Sequence, residues 1–184
     1  MRLVGRTVGL LVATIALLSA GPAWAYVYFT PDALMASFFP GATSVDAVTY
    51  TPDAAARAQI KGLLGYELPR ADYTLQVGRG AAGVLGYAVL DQQVGQHEPI
   101  DFGVMVDGAA KVQRVEVLVY REAYGDGVRG EAFRKQFIGL GPRSAMRPAK
   151  EIRVVSGATI STRSMAVGVK RATVIVAAYL GIAG

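Results

Sequence analysis

The sequence predicts an α+β fold centred on an antiparallel β-sheet. Three features carry this reading: apolar residues alternate at period two between Tyr73 and Tyr120, the alternating runs are joined largely by hairpin signals, and helix signatures group at both ends of the chain. No linker, repeat or low-complexity tract divides it.

Arg2 and Arg6 precede an uncharged run from Thr7, whose apolar heart is Val8 to Leu18 and which passes through Gly21-Pro22 into Ala23-Trp24-Ala25. This is the pattern of a signal peptide over residues 1–25 with a small-x-small cleavage site. An uncleaved membrane anchor is the competing reading, because no further charge appears before Asp32. Against it, Gly21-Pro22 interrupts the helix and the apolar core is shorter than the ~20 residues a span needs. Export is the expectation, and cleavage lowers the formal charge of +5 by two.

Residues 26–72 read as an N-terminal helical segment. Thr30-Pro31-Asp32 and Thr51-Pro52-Asp53 each place a capping hydroxyl, a first-turn proline and a carboxylate at a positive helix end. The first helix should run to Phe39 and stop at Pro40-Gly41; the second should span Ala54 to Leu64 and stop at Gly65. Strands are expected near Tyr73–Val77, Val84–Asp91, Ile100–Val106 and Lys111–Tyr120, with Asp107-Gly108 turning the last pair. Val115, Val117 and Val119 share one face by the two-residue period. A short helix over Glu131–Ile138 puts Phe133 and Phe137 on one side, a loop from Gly139 to Pro148 comes next, and Glu151–Val155 reads as a brief strand. A long helix from about Thr162 to Leu180 closes the chain, with Met165, Val169, Ala172, Val176 and Tyr179 as its apolar stripe.

Composition narrows the chemistry. Of 184 residues, 52% are hydrophobic and 18% charged, which excludes a disordered chain. With no cysteine and one histidine, thiolate chemistry, disulfides, iron–sulfur clusters and multi-histidine metal sites are excluded. An exported chain also meets no pool of nucleotides or genomic DNA, so no nucleic-acid partner is expected. Gly78-Arg79-Gly80-Ala81-Ala82-Gly83 matches GxGxxG, but a strand, not a helix, should come after it; a glycine-rich hairpin is the better reading. His97 beside Glu98 lacks the nucleophile elbow that a hydrolase triad requires.

The informative segment is Val154-Val155-Ser156-Gly157-Ala158-Thr159-Ile160-Ser161-Thr162, where a strand passes through small residues and hydroxyls into a helix. Gly157 and Ala158 permit close approach to the backbone, the helix start favours an anion, and Ser156, Thr159, Ser161 and Thr162 can cap or donate. Seven basic residues between Pro142 and Arg171 (Arg143, Arg147, Lys150, Arg153, Arg163, Lys170, Arg171) face one acid, Glu151. Taken alone, the same residues also suit a structural helix capped by Ser161 or Thr162, with a solvated arginine face.

Ser156-Gly157-Ala158-Thr159 followed by a helix resembles the flavinylation motif of FMN-binding domains, found in extracytoplasmic subunits of sodium-pumping quinone reductases and Rnf-type complexes. Tyr120-Arg121-Glu122-Ala123-Tyr124-Gly125-Asp126-Gly127, then Phe133-Arg134-Lys135-Gln136-Phe137, is similar to the family's strand end, glycine turn and short helix. Gly95-Gln96-His97-Glu98-Pro99-Ile100 also fits. The resemblance covers about Gly83 to Leu180 and implies an FMN-binding domain over residues 73–184. It further implies that a flavin transferase joins FMN by a phosphoester to Thr159, with Ser156, Gly157, Ala158, Ser161, Thr162, Glu122, Tyr124 and Gly125 around the cofactor. The protein would be an electron carrier between membrane-bound redox proteins; an unmodified anion-binding or adaptor module is the alternative.

One position departs from the pattern: the family usually has aspartate three residues before the serine, and this chain has Arg153. Glu151, on the same strand face by the two-residue period, is the candidate substitute. Pro40-Gly41-Ala42-Thr43 repeats Gly-Ala-Thr, but Ser44 to Tyr50 offers no helix start, which makes it a decoy. Arg163, Lys170 and Arg171 are placed to favour a reduced, anionic flavin. Tyr120 and Tyr124 are candidates to pack on its ring, and Tyr87 for ordinary sheet packing.

Overall fold

A computed structural model describes residues 25–122 and 126–183. The expected signal segment, up to Trp24, lies outside the described residues. Helix α1 spans Pro31–Phe38 and α2 spans Ala54–Leu64. The Thr30 hydroxyl caps α1 by accepting from the Ala33 amide at 3.2 Å. In α2 the cap is not the Thr51 hydroxyl but the carboxylate of Asp53, which accepts from the Ala56 amide at 2.8 Å. Gly65 ends α2 in the left-handed conformation at φ 82°.

Six antiparallel strands form one sheet: β1 Tyr26–Val27, β2 Ser44–Tyr50, β3 Tyr73–Gly80, β4 Gly83–Val94, β5 Pro99–Val106 and β6 Val112–Tyr120, in the order β1-β6-β5-β4-β3-β2. Two of these were not expected. Strands β1 and β2 lie inside the stretch read as purely helical, and β2 pairs with β3 from Ser44↔Arg79 to Tyr50↔Tyr73. The glycine-rich GxGxxG stretch is the β3–β4 hairpin, with Gly80 opposite Gly83. Glu151–Val155 is not a strand; only an isolated bridge joins Ile152 to Pro148.

The face of β6 changes along its length. Asp101 pairs with Val119 and Phe102 with Val117, so Leu118 is an extra residue in the ladder. Such a bulge reverses the alternation beyond it. Val115 and Val117 point into the main core, Val119 points to the opposite face, and Tyr120 returns to the main core. The expected shared face for Val119 is therefore broken by the bulge.

Helix α3, Glu131–Arg134, continues as a 3-10 turn over Lys135–Phe137, and the Phe133 and Phe137 rings meet edge to face at 5.3 Å. Helix α4, Thr159–Tyr179, lies across one face of the sheet, while Leu34, Met35 and Phe38 of α1 cover the other. All the expected stripe residues from Met165 to Val176 are fully buried. Among the described residues no helix is long and apolar enough to cross a membrane.

Gly168 sets how closely α4 approaches the sheet: a Cβ there would meet Phe102 Cζ at 2.2 Å and Gln93 Cγ at 3.0 Å. Alanine gains about 1 kcal/mol in a helix interior, but overpacking against a buried ring costs about 1–3 kcal/mol. Gly168→Ala is expected to lower the urea midpoint, despite the better helix former; an unchanged or raised midpoint contradicts this contact.

The Ser164 hydroxyl of α4 donates to the Val94 carbonyl at 2.5 Å, so the helix begins beyond the end of β4. That end of the sheet also holds the start of β5, the end of β6 and, through Tyr26↔Tyr120, the entry of the chain into β1.

Candidate functional site

Helix α4 starts at Thr159, a turn earlier than the sequence suggests. Its N-cap is Ala158, at φ −132° and ψ 35°, and no side chain caps the first turn. The hydroxyls expected to cap it point elsewhere. Thr162 is fully buried and its Oγ1 accepts from the Val155 amide at 3.2 Å; Ser161 is buried with Oγ 3.3 Å from Tyr120 Oη. The Leu118 bulge is what brings Tyr120 under this turn.

Thr159, Ser156 and Gly157 remain exposed, and Gly157 takes a left-handed φ of 73°. This turn lets the chain reverse into the helix with the Thr159 side chain outward. A cleft of about 220 Å³ opens there, lined by Gln96, Gly157, Ala158, Thr159, Ile160 and Ser161. Among the described residues no acidic side chain lines it, and the positive end of a 21-residue helix faces it. Exposed hydroxyl, uncapped amides and absence of lining carboxylates suit a phosphate group.

Of the residues singled out from the sequence, Gly157, Ala158, Thr159 and Ser161 line the cleft, Ser156 is exposed next to Gly157, and Thr162 is buried. Sequence reasoning did not single out Gln96, although the Gly95–Ile100 stretch was part of the family resemblance. Glu122 does not reach the cleft directly. It is buried, and its Oε1 accepts from the amides of His97 at 2.8 Å and Glu98 at 3.3 Å. A Cβ on Gly95 would meet the same oxygen at 2.3 Å. Glu122 therefore fixes the loop that carries Gln96. Glu122→Ala leaves two amides without an acceptor, a cost of about 1–3 kcal/mol. Hydrogen exchange at His97 and Glu98 should quicken in this variant and less so in Glu122→Gln; unchanged exchange in the alanine variant contradicts the assignment.

Tyr124 and Gly125 lie outside the described residues. Tyr120 is fully buried, so it belongs to the core and offers no free ring face. Tyr87 packs edge to face on Tyr179 at 6.0 Å, as ordinary sheet packing requires. Arg171 is not a cation available to a flavin: it is buried, with Nε and Nη2 donating to Asp91 Oδ2 at 2.9 and 2.6 Å. Lys170 is partly buried, which pushes its pKa down, and its Nζ donates to the carbonyls of Pro142 and Ser144. Arg163, one turn beyond Thr159, is exposed and has no hydrogen-bond or ion-pair partner among the described residues.

The departure at Arg153 is also placed. Its backbone amide donates to Gln136 Oε1 at 2.8 Å and its side chain is exposed. Glu151 is no substitute by strand periodicity, because the strand is absent. Its carboxylate is held by the Arg147 guanidinium at 2.5 Å, which lowers its pKa to about 2.

Comparison with known proteins bears on the family and the fold. Residues 95–174 match the family described as the FMN-binding domain, a span that includes β5, β6, the glycine turn and most of α4. No curated protein matches. Among solved structures, the crystal structure of Shewanella oneidensis NqrC aligns with a TM-score of 0.52 at 17% identity, covering 77% of this chain and 81% of that one. At that identity the likeness speaks for the fold: the sheet and helices are arranged as in NqrC. Over residues 95–174, then, the chain matches the model of the FMN-binding domain, the family that its Ser-Gly-Ala-Thr turn resembles.

Proposed function

We propose that this is an exported flavoprotein that carries FMN through a phosphoester to Thr159 and relays electrons between membrane-bound redox proteins. The observation that carries the reading is the exposed Thr159 hydroxyl at the first position of α4, on an uncapped turn beside an acid-free cleft. First-turn amides and the helix dipole favour the phosphate dianion at that point. Among the described residues, Gln96 is the only one from outside the 157–161 turn that lines the cleft, and no general base lines it. A threonine hydroxyl is a weak nucleophile without such a base, so activation falls to a flavin transferase acting from outside. Bound FMN supplies one- and two-electron transfer, which none of the side chains can perform. The tether retains the cofactor in a compartment from which lost flavin is not readily replaced.

The test is expression with a flavin transferase, followed by denaturing electrophoresis and intact mass. A fluorescent band and a mass raised by one FMN less one water support the reading. A dark band at the mass of the polypeptide refutes it and leaves the second reading, an unmodified anion-binding or adaptor module. That alternative is favoured by one observation: Glu151, the nearby carboxylate that could replace the family's aspartate, is held by Arg147. Arg153→Asp is accordingly expected to raise the modified fraction wherever wild-type labelling is incomplete; an unchanged fraction denies the aspartate a role here.

A further inference from the structure

A concavity larger than the Thr159 cleft is present among the described residues. It lies between the end of α2, the 143–148 turn and the outward side of α4, with a volume of about 720 Å³, well within the range of small-molecule sites. Leu63, Leu64, Met146, Ala166 and Val167 give it an apolar lining, and Arg143, Arg147, Arg163 and Lys170 surround it with positive charge. Among the described residues no acidic one lines it. Arg147 is paired with Glu151, but the charges of two others are not offset by a carboxylate: Arg163 has no partner among the described residues, and Lys170 Nζ meets only the carbonyls of Pro142 and Ser144. Lys170 also sits partly buried, where a lone cation is penalised. The wall opposite α4 is held in an uncommon shape. Met146, almost fully buried, has φ 52°, and Ala149 just beyond has φ 64°, both in the left-handed region that L residues rarely adopt.

We infer that this concavity is a second binding site, separate from the Thr159 cleft, for an amphipathic anion: a phosphate or carboxylate carried on an apolar body. An apolar surface left in water and cations left without counter-charge are both unfavourable, and one ligand of this class relieves both. Inorganic phosphate satisfies only the cations, and a neutral amphiphile only the apolar lining. The site does not require Thr159 to carry a flavin, so it can be tested with attachment abolished.

The experiment is calorimetric titration of the chain from residue 26, bearing Thr159→Ala, with dodecyl phosphate below its micelle concentration. One-to-one binding is expected, with an affinity at least about tenfold above those of inorganic phosphate and of dodecyl maltoside. Arg163→Glu, at an exposed position, should weaken dodecyl phosphate by about tenfold or more, and Val167→Trp, which fills the mouth, should remove binding. Lys170→Met should also weaken it, and the two α4 surface variants keep the test valid if that protein fails to fold. Free FMN, run as a competitor, separates the sources. Stronger binding by FMN assigns the site to a flavin nucleotide, stronger binding by dodecyl phosphate to a lipid-like anion, and both uphold the proposal. Equal binding of the neutral detergent, or indifference to both Arg163→Glu and Val167→Trp, overturns it.

Discussion

Thr159→Ala is expected to abolish covalent flavin entirely, leaving a dark band and an unmodified mass after expression with a flavin transferase. The effect is all or none because the proposed phosphoester would form through the one side-chain oxygen that the substitution removes. Stability should barely change, since Thr159 is exposed and its side chain caps nothing. Thr159→Ser keeps a hydroxyl at the same place and should keep the band. Thr43→Ala is the matched control: Thr43 sits in the other Gly-Ala-Thr, but its hydroxyl donates to the Arg79 carbonyl at 3.2 Å at the entry to β2, with no helix start beside it. Loss of fluorescence with Thr43→Ala and its retention with Thr159→Ala would reverse the assignment.

Asp91→Asn is expected to produce the largest loss of stability of any single substitution proposed. Asp91 is buried on β4 and joins Arg171 of α4, whose side chain is only 8% exposed. Oδ1 also accepts from the Gln92 amide at 2.9 Å and meets Arg70 at 3.4 Å. An amide of the same size cannot neutralise Arg171, and a buried charge deprived of its partner costs about 3–5 kcal/mol. Arg70 is half exposed, so Arg70→Ala should cost no more than about 1 kcal/mol. Chemical denaturation of the three proteins decides this; equal midpoints for Asp91→Asn and wild type would mean that solvent reaches Arg171 after all. Because the pair fixes α4 to β4, its loss should also disturb the Thr159 cleft at the other end of the helix.

How far the fold was legible in the sequence depends on where side chains go. Strands β3 to β6 alternate buried and exposed residues for long stretches, and the α4 stripe keeps helical spacing over three turns, so both periods are visible in the chain. Strand β2 contains no fully buried residue. It lies at the sheet edge, and its pairing is made by backbone groups that leave no hydrophobic pattern. The start of α4 was misplaced by a turn for a different reason. Ser161 and Thr162 are the residue types that cap helices, but here their hydroxyls are spent inside the fold on Tyr120 and on the Val155 amide. Glu151–Val155 has the alternation of a strand without a neighbouring strand to pair with. The Arg171–Asp91 pair joins residues 80 apart in sequence, beyond any local pattern. The Thr159 cleft was legible because its ingredients are consecutive; Gln96 came from a distant loop that only the fold brings near.

The pairing of Tyr26 with Tyr120 carries a consequence for orientation. Tyr26, at the start of β1, and the first turn of the last helix lie at the same end of the sheet. A macromolecule that approached this end of the sheet would therefore meet Tyr26 and the Thr159 turn together, without the domain having to turn over.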